Sequence, residues 1–205
     1  MSEEPRVRPA SPDHPASSKP RPPRPIKEPD QPVHNSIVKS PIIAGSCSEM
    51  TNEQIEAFRQ FRPCFRIDPV AIAKGDNVLA DALVFAREHL PDGPVLIHST
   101  ASPHEVSEAQ RHLGRARAAE LTEDCLAAIA EGLVGLGCRQ LIVAGGETSG
   151  AVVHRLGITT AHVGKEVSPG VPWLRTDTVP ELAILLKSGN LGEPGLFLDA
   201  REHNR

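Results

Sequence analysis

An α/β domain of three layers, a largely parallel sheet flanked by helices, is what this chain predicts, and three observations predict it. Short apolar runs such as Leu141-Ile142-Val143-Ala144 have the length and β-branched character of strands buried on both faces. Segments with apolar residues three or four apart alternate with those runs, as successive βαβ units require. Between the run at 141–144 and the helical segment that follows lies Gly145-Gly146, where the missing Cβ lets the backbone turn sharply.

Taken in order, residues 1–40 stand apart from the rest. Prolines recur from Pro5 to Pro32, charges of both signs fill the gaps, and apolar residues are too sparse to offset the entropy of ordering. This stretch reads as a disordered, polyproline-like leader that serves as an interaction ligand, a linker or the scar of a shifted gene start. The foldable domain is expected over 41–205. The leader's seven basic and five acidic residues leave the rest of the chain at −6, within a total of −4.

Ile42-Ile43-Ala44 predicts a first strand, and Gly45-Ser46-Cys47-Ser48 a turn. Thr51 and Gln54 have capping-box spacing, with Ile55 and Phe58 following at helical intervals. Phe65-Arg66-Ile67 is a second strand, 78–90 a helix closed by Pro91-Asp92-Gly93, and Val95-Leu96-Ile97 a third strand running into a polar loop. His98 at that strand end is either a catalytic base or, with no carboxylate in sight to orient it, a structural histidine. The longest helix spans 115–136, its stripe of Leu121, Cys125, Ile129 and Leu133 reading as core. After the strand at 141–144 a helix over 151–156 is stopped by Gly157. His162-Val163-Gly164 is a short strand, and 168–173 is irregular because Pro169 and Pro172 each lack a donor. Trp173 either stacks on a ring or plugs the core edge. A last strand covers 182–186.

Composition narrows the function classes. A net charge of −4 and a pI near 6.1 give no electrostatic case for nucleic acid. Cys47, Cys64, Cys125 and Cys138 lie far apart with no C-x-x-C pair, which indicates neither a zinc site nor a disulfide framework. No apolar run has the length of a membrane span, and the expected location is cytoplasmic.

The chemistry-bearing stretch is GGETSG at 145–150. A strand, a glycine turn and a helix start bring free N–H groups and the helix dipole to one place, which suits an anion. The same pattern also occurs as an ordinary strand-to-helix turn. The serine-containing turn at 45–48 is chemically similar, and two such turns converging on one phosphate group is the sharper reading. Lys187, beside Ser188-Gly189-Asn190, is placed by the sequence to neutralise phosphate.

The ordered set GSCSEMTNEQ at 45–54, GGETSG at 145–150, SPGVPW at 168–173 and KSGNLG at 187–192 resembles the C-terminal nucleotide-binding domain of the four-carbon acid sugar kinases, the family of 3-oxo-tetronate, threonate and erythronate kinases. The resemblance implies ATP with Mg²⁺ and phosphorylation of a terminal hydroxyl on a four-carbon sugar acid. It implies ATP contacts from Ser46, Ser48, Gly146, Glu147, Thr148, Ser149 and Gly189. The candidate nucleotide site adds Gly145, Gly150, Lys187, Ser188 and Asn190; Glu147, Thr148 and Ser149 have the oxygen chemistry to help hold Mg²⁺, no dedicated protein metal site is read, and the catalytic residue is unassigned. Two features depart from the family: Leu191 stands where it carries phenylalanine and Gly195-Leu196-Phe197 where it carries Asp-Phe-Phe, and no Asp-Asp pair occurs. The sugar acid is therefore expected to bind a separate or missing domain, with a stand-alone, non-catalytic nucleotide-binding module as the alternative. A domain shaped to face another exposes apolar surface and has the means to form a homo-oligomer.

Overall fold

The computed structural model describes residues 40–101 and 103–200, so the leader read at 1–40 lies outside it but for Ser40. One seven-stranded sheet organises these residues. β1 (Ile42–Ala44), β2 (Cys64–Arg66), β3 (Leu96–His98), β4 (Gln140–Ala144) and β7 (Ala183–Lys187) run parallel. β6 (Val171–Thr176) joins β7 antiparallel and β5 (Ala161–Ser168) joins β6 antiparallel, giving the order β2-β3-β1-β4-β7-β6-β5.

Alternate residues of each strand feed two cores. On one face Ile43, Ile97, Leu141, Val143 and Ile184 pack against α3 (Val78–His89), α5 (Arg115–Gly135) and α6 (Gly146–Arg155). On the other, Ile42, Leu96, Ile142 and Leu185 meet Ile55 and Phe58 of α1 (Glu49–Arg59) and Leu196 and Phe197 of α7 (Leu196–Asp199). The three-layer arrangement is the one the alternating pattern calls for. Two short helices complete it: α2 (Pro69–Ala73), capped by Asp68, and α4 (Pro103–Leu113), which packs on α2 and α5.

The structure departs from the sequence expectations in local ways with physical causes. The helix expected from 151 begins at Gly146, so GETS forms its first turn; Gly157, at φ +64°, stops it as expected. The N-cap of α1 is Ser48, whose hydroxyl accepts from the Thr51 N–H, because Thr51 and Gln54 are drawn off to the segment 189–193. The stretch 168–173, read as irregular, is a hairpin with Gly170 at φ +74°. Pro172 is admitted because β6 meets β7 only over Trp173 to Arg175, and its pairing with Glu166 sits between register shifts. Trp173 is core: buried, with Nε1 donating to the Ala200 carbonyl at 3.2 Å.

Candidate functional site

The chain runs from β1 outward to β2 and β3, then crosses to the far side of β1 to build β4. The crevice between the carboxyl ends of β1 and β4 is thus the topological switch point, where neighbouring crossovers leave on opposite faces and the sheet opens for a ligand. Hydrogen bonding keeps the four central strands level there. Ser99 N donates to Ala44 O at 3.0 Å, Gly45 N to Ala144 O at 3.0 Å, and Gly145 N to Lys187 O at 2.9 Å.

The turns after β1 and β4 touch through Thr148. Its hydroxyl fills the space a Cβ would occupy at Gly45 and lies 3.1 Å from where one would sit on Gly145, whose φ is +119°. Both positions are therefore glycine for contact as well as conformation. Thr148 is 3% exposed and lines a cleft of about 740 Å³ that opens beside the two turns. Gly146, at the head of α6, also lines it, and a Cβ there would meet nothing within 4 Å. No side chain caps α6, which leaves its first N–H groups free to bind.

A second network closes the other side of the β1–α1 turn. Lys187 Nζ donates to Thr51 Oγ1 at 3.1 Å and to the Gly189 carbonyl at 2.8 Å, and stands 5.8 Å from the Phe197 ring centre. Thr51 Oγ1 donates to the same carbonyl at 2.9 Å and accepts from Ser48 Oγ at 3.1 Å. A Cβ on Gly189 would collide with the hydroxyls of Ser46 and Ser48. Lys187 is 1% exposed, and burial brings its ammonium down from 10.5 to about 8.

Of the residues singled out by sequence, Ser46, Gly145, Gly146, Glu147 and Thr148 line the cleft together. Ser48, Lys187 and Gly189 gather instead in the closed network, with Ser188 and Asn190 exposed on its turn. Ser149 is buried one residue further along α6, its hydroxyl unpartnered among the described residues, and Gly150 is exposed on that helix. His98 is buried, burial pushes its ring down to about 4, and it is not among the residues lining the cleft.

Sequence reasoning missed the opposite wall. α4 and α5 supply it, with Arg115, Glu123 and the Arg66–Glu105 ion pair at 2.7 Å. Glu123 meets Glu147 where α5 passes the head of α6; burial, then the Glu147 carboxylate, hold its carboxyl above the ordinary value. Spacing along α5 gave no sign of this, since Glu123 is one of several acids on a polar face. Among the described residues no three His, Cys, Asp or Glu side chains gather as a metal cluster, and no helix is long and apolar enough to cross a membrane.

Comparison with known proteins identifies the domain. The family model described as "Nucleotide-binding C-terminal domain" matches residues 42–197. A 3-oxo-tetronate kinase of Burkholderia multivorans is 52% identical over 156 residues, 76% of this chain and 36% of the kinase. One from Cupriavidus necator is 48% identical over 160 residues, 78% of this chain and 37% of its own length. A solved structure of a Haemophilus influenzae protein superposes with a TM-score of 0.75 at 34% identity, covering 80% of this chain and 40% of that one. The chain thus spans little more than a third of the curated relatives it matches.

Proposed function

The chain belongs to the family of nucleotide-binding C-terminal domains, and from that premise we propose that it is the ATP-holding part of a kinase acting on a four-carbon sugar acid of the 3-oxo-tetronate, threonate or erythronate type. The observation that carries the reading is the uncapped head of α6 opening into the cleft at the switch point. There the N–H groups of Gly146, Glu147 and Thr148 face the phosphates, aided by the helix dipole, and Ser46 adds a hydroxyl from the neighbouring turn.

Lys187 acts from beneath rather than by contact. Its hydrogen bonds fix Gly189 against Ser46 and Ser48, and its charge raises the potential of the turns above it. Were Mg²⁺ bound, the Glu147 carboxylate and Thr148 hydroxyl at the cleft would help to hold it, and it would supply charge neutralisation on the phosphates. The sugar acid's terminal hydroxyl attacks the γ-phosphorus, ADP leaves with the electron pair of the broken bond, and the hydroxyl proton passes to a base outside this site. Catalysis by the chain's own residues is then mainly positioning and charge stabilisation. The sugar acid and that base belong to a separate domain or partner.

Calorimetric titration of the chain with ATP and Mg²⁺, alongside thermal unfolding, tests this. Ligand at one hundred times its dissociation constant stabilises the fold by about 2.7 kcal/mol. Gly146→Val, whose side chain would project into open cleft, removes both heat and shift. A folded wild-type chain that shows neither refutes the nucleotide reading.

A further inference from the structure

Ser46 and Cys47 line the cleft, and the peptide that joins them is held from behind by the hydroxyl of Thr100, which donates to the Ser46 carbonyl at 2.8 Å. We propose that Thr100 is a positioning residue of the nucleotide cleft: by fixing that carbonyl it aims the Cys47 N–H at the phosphates. The proposal rests on the nucleotide reading and adds to it a residue that touches no ligand itself.

The place of Thr100 is the first support. It lies in the loop after β3 and is 5% exposed; its neighbours Ser99 and Ala101 line the cleft, and it does not. Its hydroxyl reaches a carbonyl 54 residues away and ties that loop to the turn after β1. The rest of Ser46 is fixed by other means, its Oγ accepting from the Ser48 N–H at 3.2 Å and abutting Gly189. Among the described residues Thr100 is the sole donor to the Ser46 carbonyl, so it sets the direction of that peptide.

Peptide geometry is the second support. The Ser46–Cys47 peptide is trans, and across a trans peptide the carbonyl of one residue and the N–H of the next point in opposite directions. With the Ser46 carbonyl turned back to Thr100, the Cys47 N–H is turned away from it. Neither that N–H nor the Ser46 N–H has an acceptor among the described residues. The Ser46 nitrogen also stands beside the second turn, since a Cβ on Gly145 would lie 3.1 Å from it. Two successive free N–H groups thus adjoin the open head of α6, and such groups form a concavity for an anion.

A buried hydroxyl that joins two loops also serves as plain scaffold. Scaffold alone costs stability and leaves ligand affinity unmoved, which separates the two roles. The test is calorimetric titration of the full chain with ADP and Mg²⁺, with thermal unfolding of each variant to establish that it is folded. Thr100→Val keeps the shape, removes the donor and weakens ADP binding by ~10-fold or more, the loss of one hydrogen bond to a charged group. Thr100→Ser returns the donor and recovers most of that affinity. Thr176→Val removes a comparably buried hydroxyl, bonded to the Leu182 N–H beyond the opposite end of β7, and leaves affinity as it was. Without any substitution, ADP shifts the amide resonance of Cys47 in the wild-type chain. Wild-type affinity in a folded Thr100→Val chain, equal weakening by Thr176→Val, or a Cys47 amide that bound ADP does not move overturns the positioning role and leaves the nucleotide reading standing. A folded wild-type chain that binds no ADP removes the nucleotide reading, and the role of Thr100 falls with it.

Discussion

Two helix heads lie side by side at the carboxyl edge of the sheet, and the chain treats them oppositely. The head of α1 is finished from within: Ser48 caps it, and Thr51, Lys187 and the Gly189 carbonyl close a hydrogen-bonded ring around it. The head of α6 is left open, with no side-chain cap and a bare Gly146 at the cleft. Polar groups satisfied internally have nothing left to offer a ligand; those held in place and unsatisfied do. On the proposed reading the first turn lends mainly Ser46 to the cleft and the second presents the open helix head, although the two sequences look alike.

That contrast can be broken at several points, the largest effect coming from Lys187. Its ammonium loses a proton near pH 8 when folded, and near 10.5 when unfolded. Between those values the unfolded chain binds more protons, so stability rises with pH through that window, by roughly 3 kcal/mol at most, and the full cost of the buried charge is present below pH 8. Urea unfolding from pH 7.5 to 10.5 shows the rise in the wild type, and Lys187→Met abolishes it. If both chains rise alike, the ammonium is not buried as described. Next in size is Gly189→Ala, whose methyl presses on two serine hydroxyls and costs about 1–3 kcal/mol in the same measurement. Ser48→Ala, which strips the cap from α1, costs ~1 kcal/mol. Smallest on stability is Gly146→Val, within about 0.5 kcal/mol, while its effect on nucleotide binding is the greatest of the four. A stability loss there equal to that of Gly189→Ala would erase the distinction between the two heads.

What the sequence disclosed follows the same division. Buried strands are legible because an apolar run can go nowhere else: β1 matches its prediction residue for residue, and β4 and α5 do so within one. Both glycine turns and the family were legible because backbone chemistry at a switch point is local. The partition between them was not. Only the fold shows that Lys187 packs against Phe197 and bonds Thr51, and that Ser48 caps α1. α4 escaped notice although Val106, Ala109 and Leu113 stand at helical spacing, because that stripe is narrow among charged residues, and with it went the wall that carries Glu105 and Val106 to the cleft. A hairpin with Pro172 inside it becomes readable only when the neighbouring strand is known to stop short.

The hydroxyl of Thr148 lodged between Gly45 and Gly145 also limits how this chain can drift under mutation. Thr148→Ser keeps the oxygen and so keeps both glycines obligatory. A side chain at Gly45 meets the Thr148 hydroxyl first and then Leu126 and the Thr148 Cβ, and Gly145 stays bound by its backbone angle whatever stands at 148. Positions a hundred residues apart are thereby coupled: the strain met by a side chain at Gly45 depends on what stands at 148, so the order of the two changes matters.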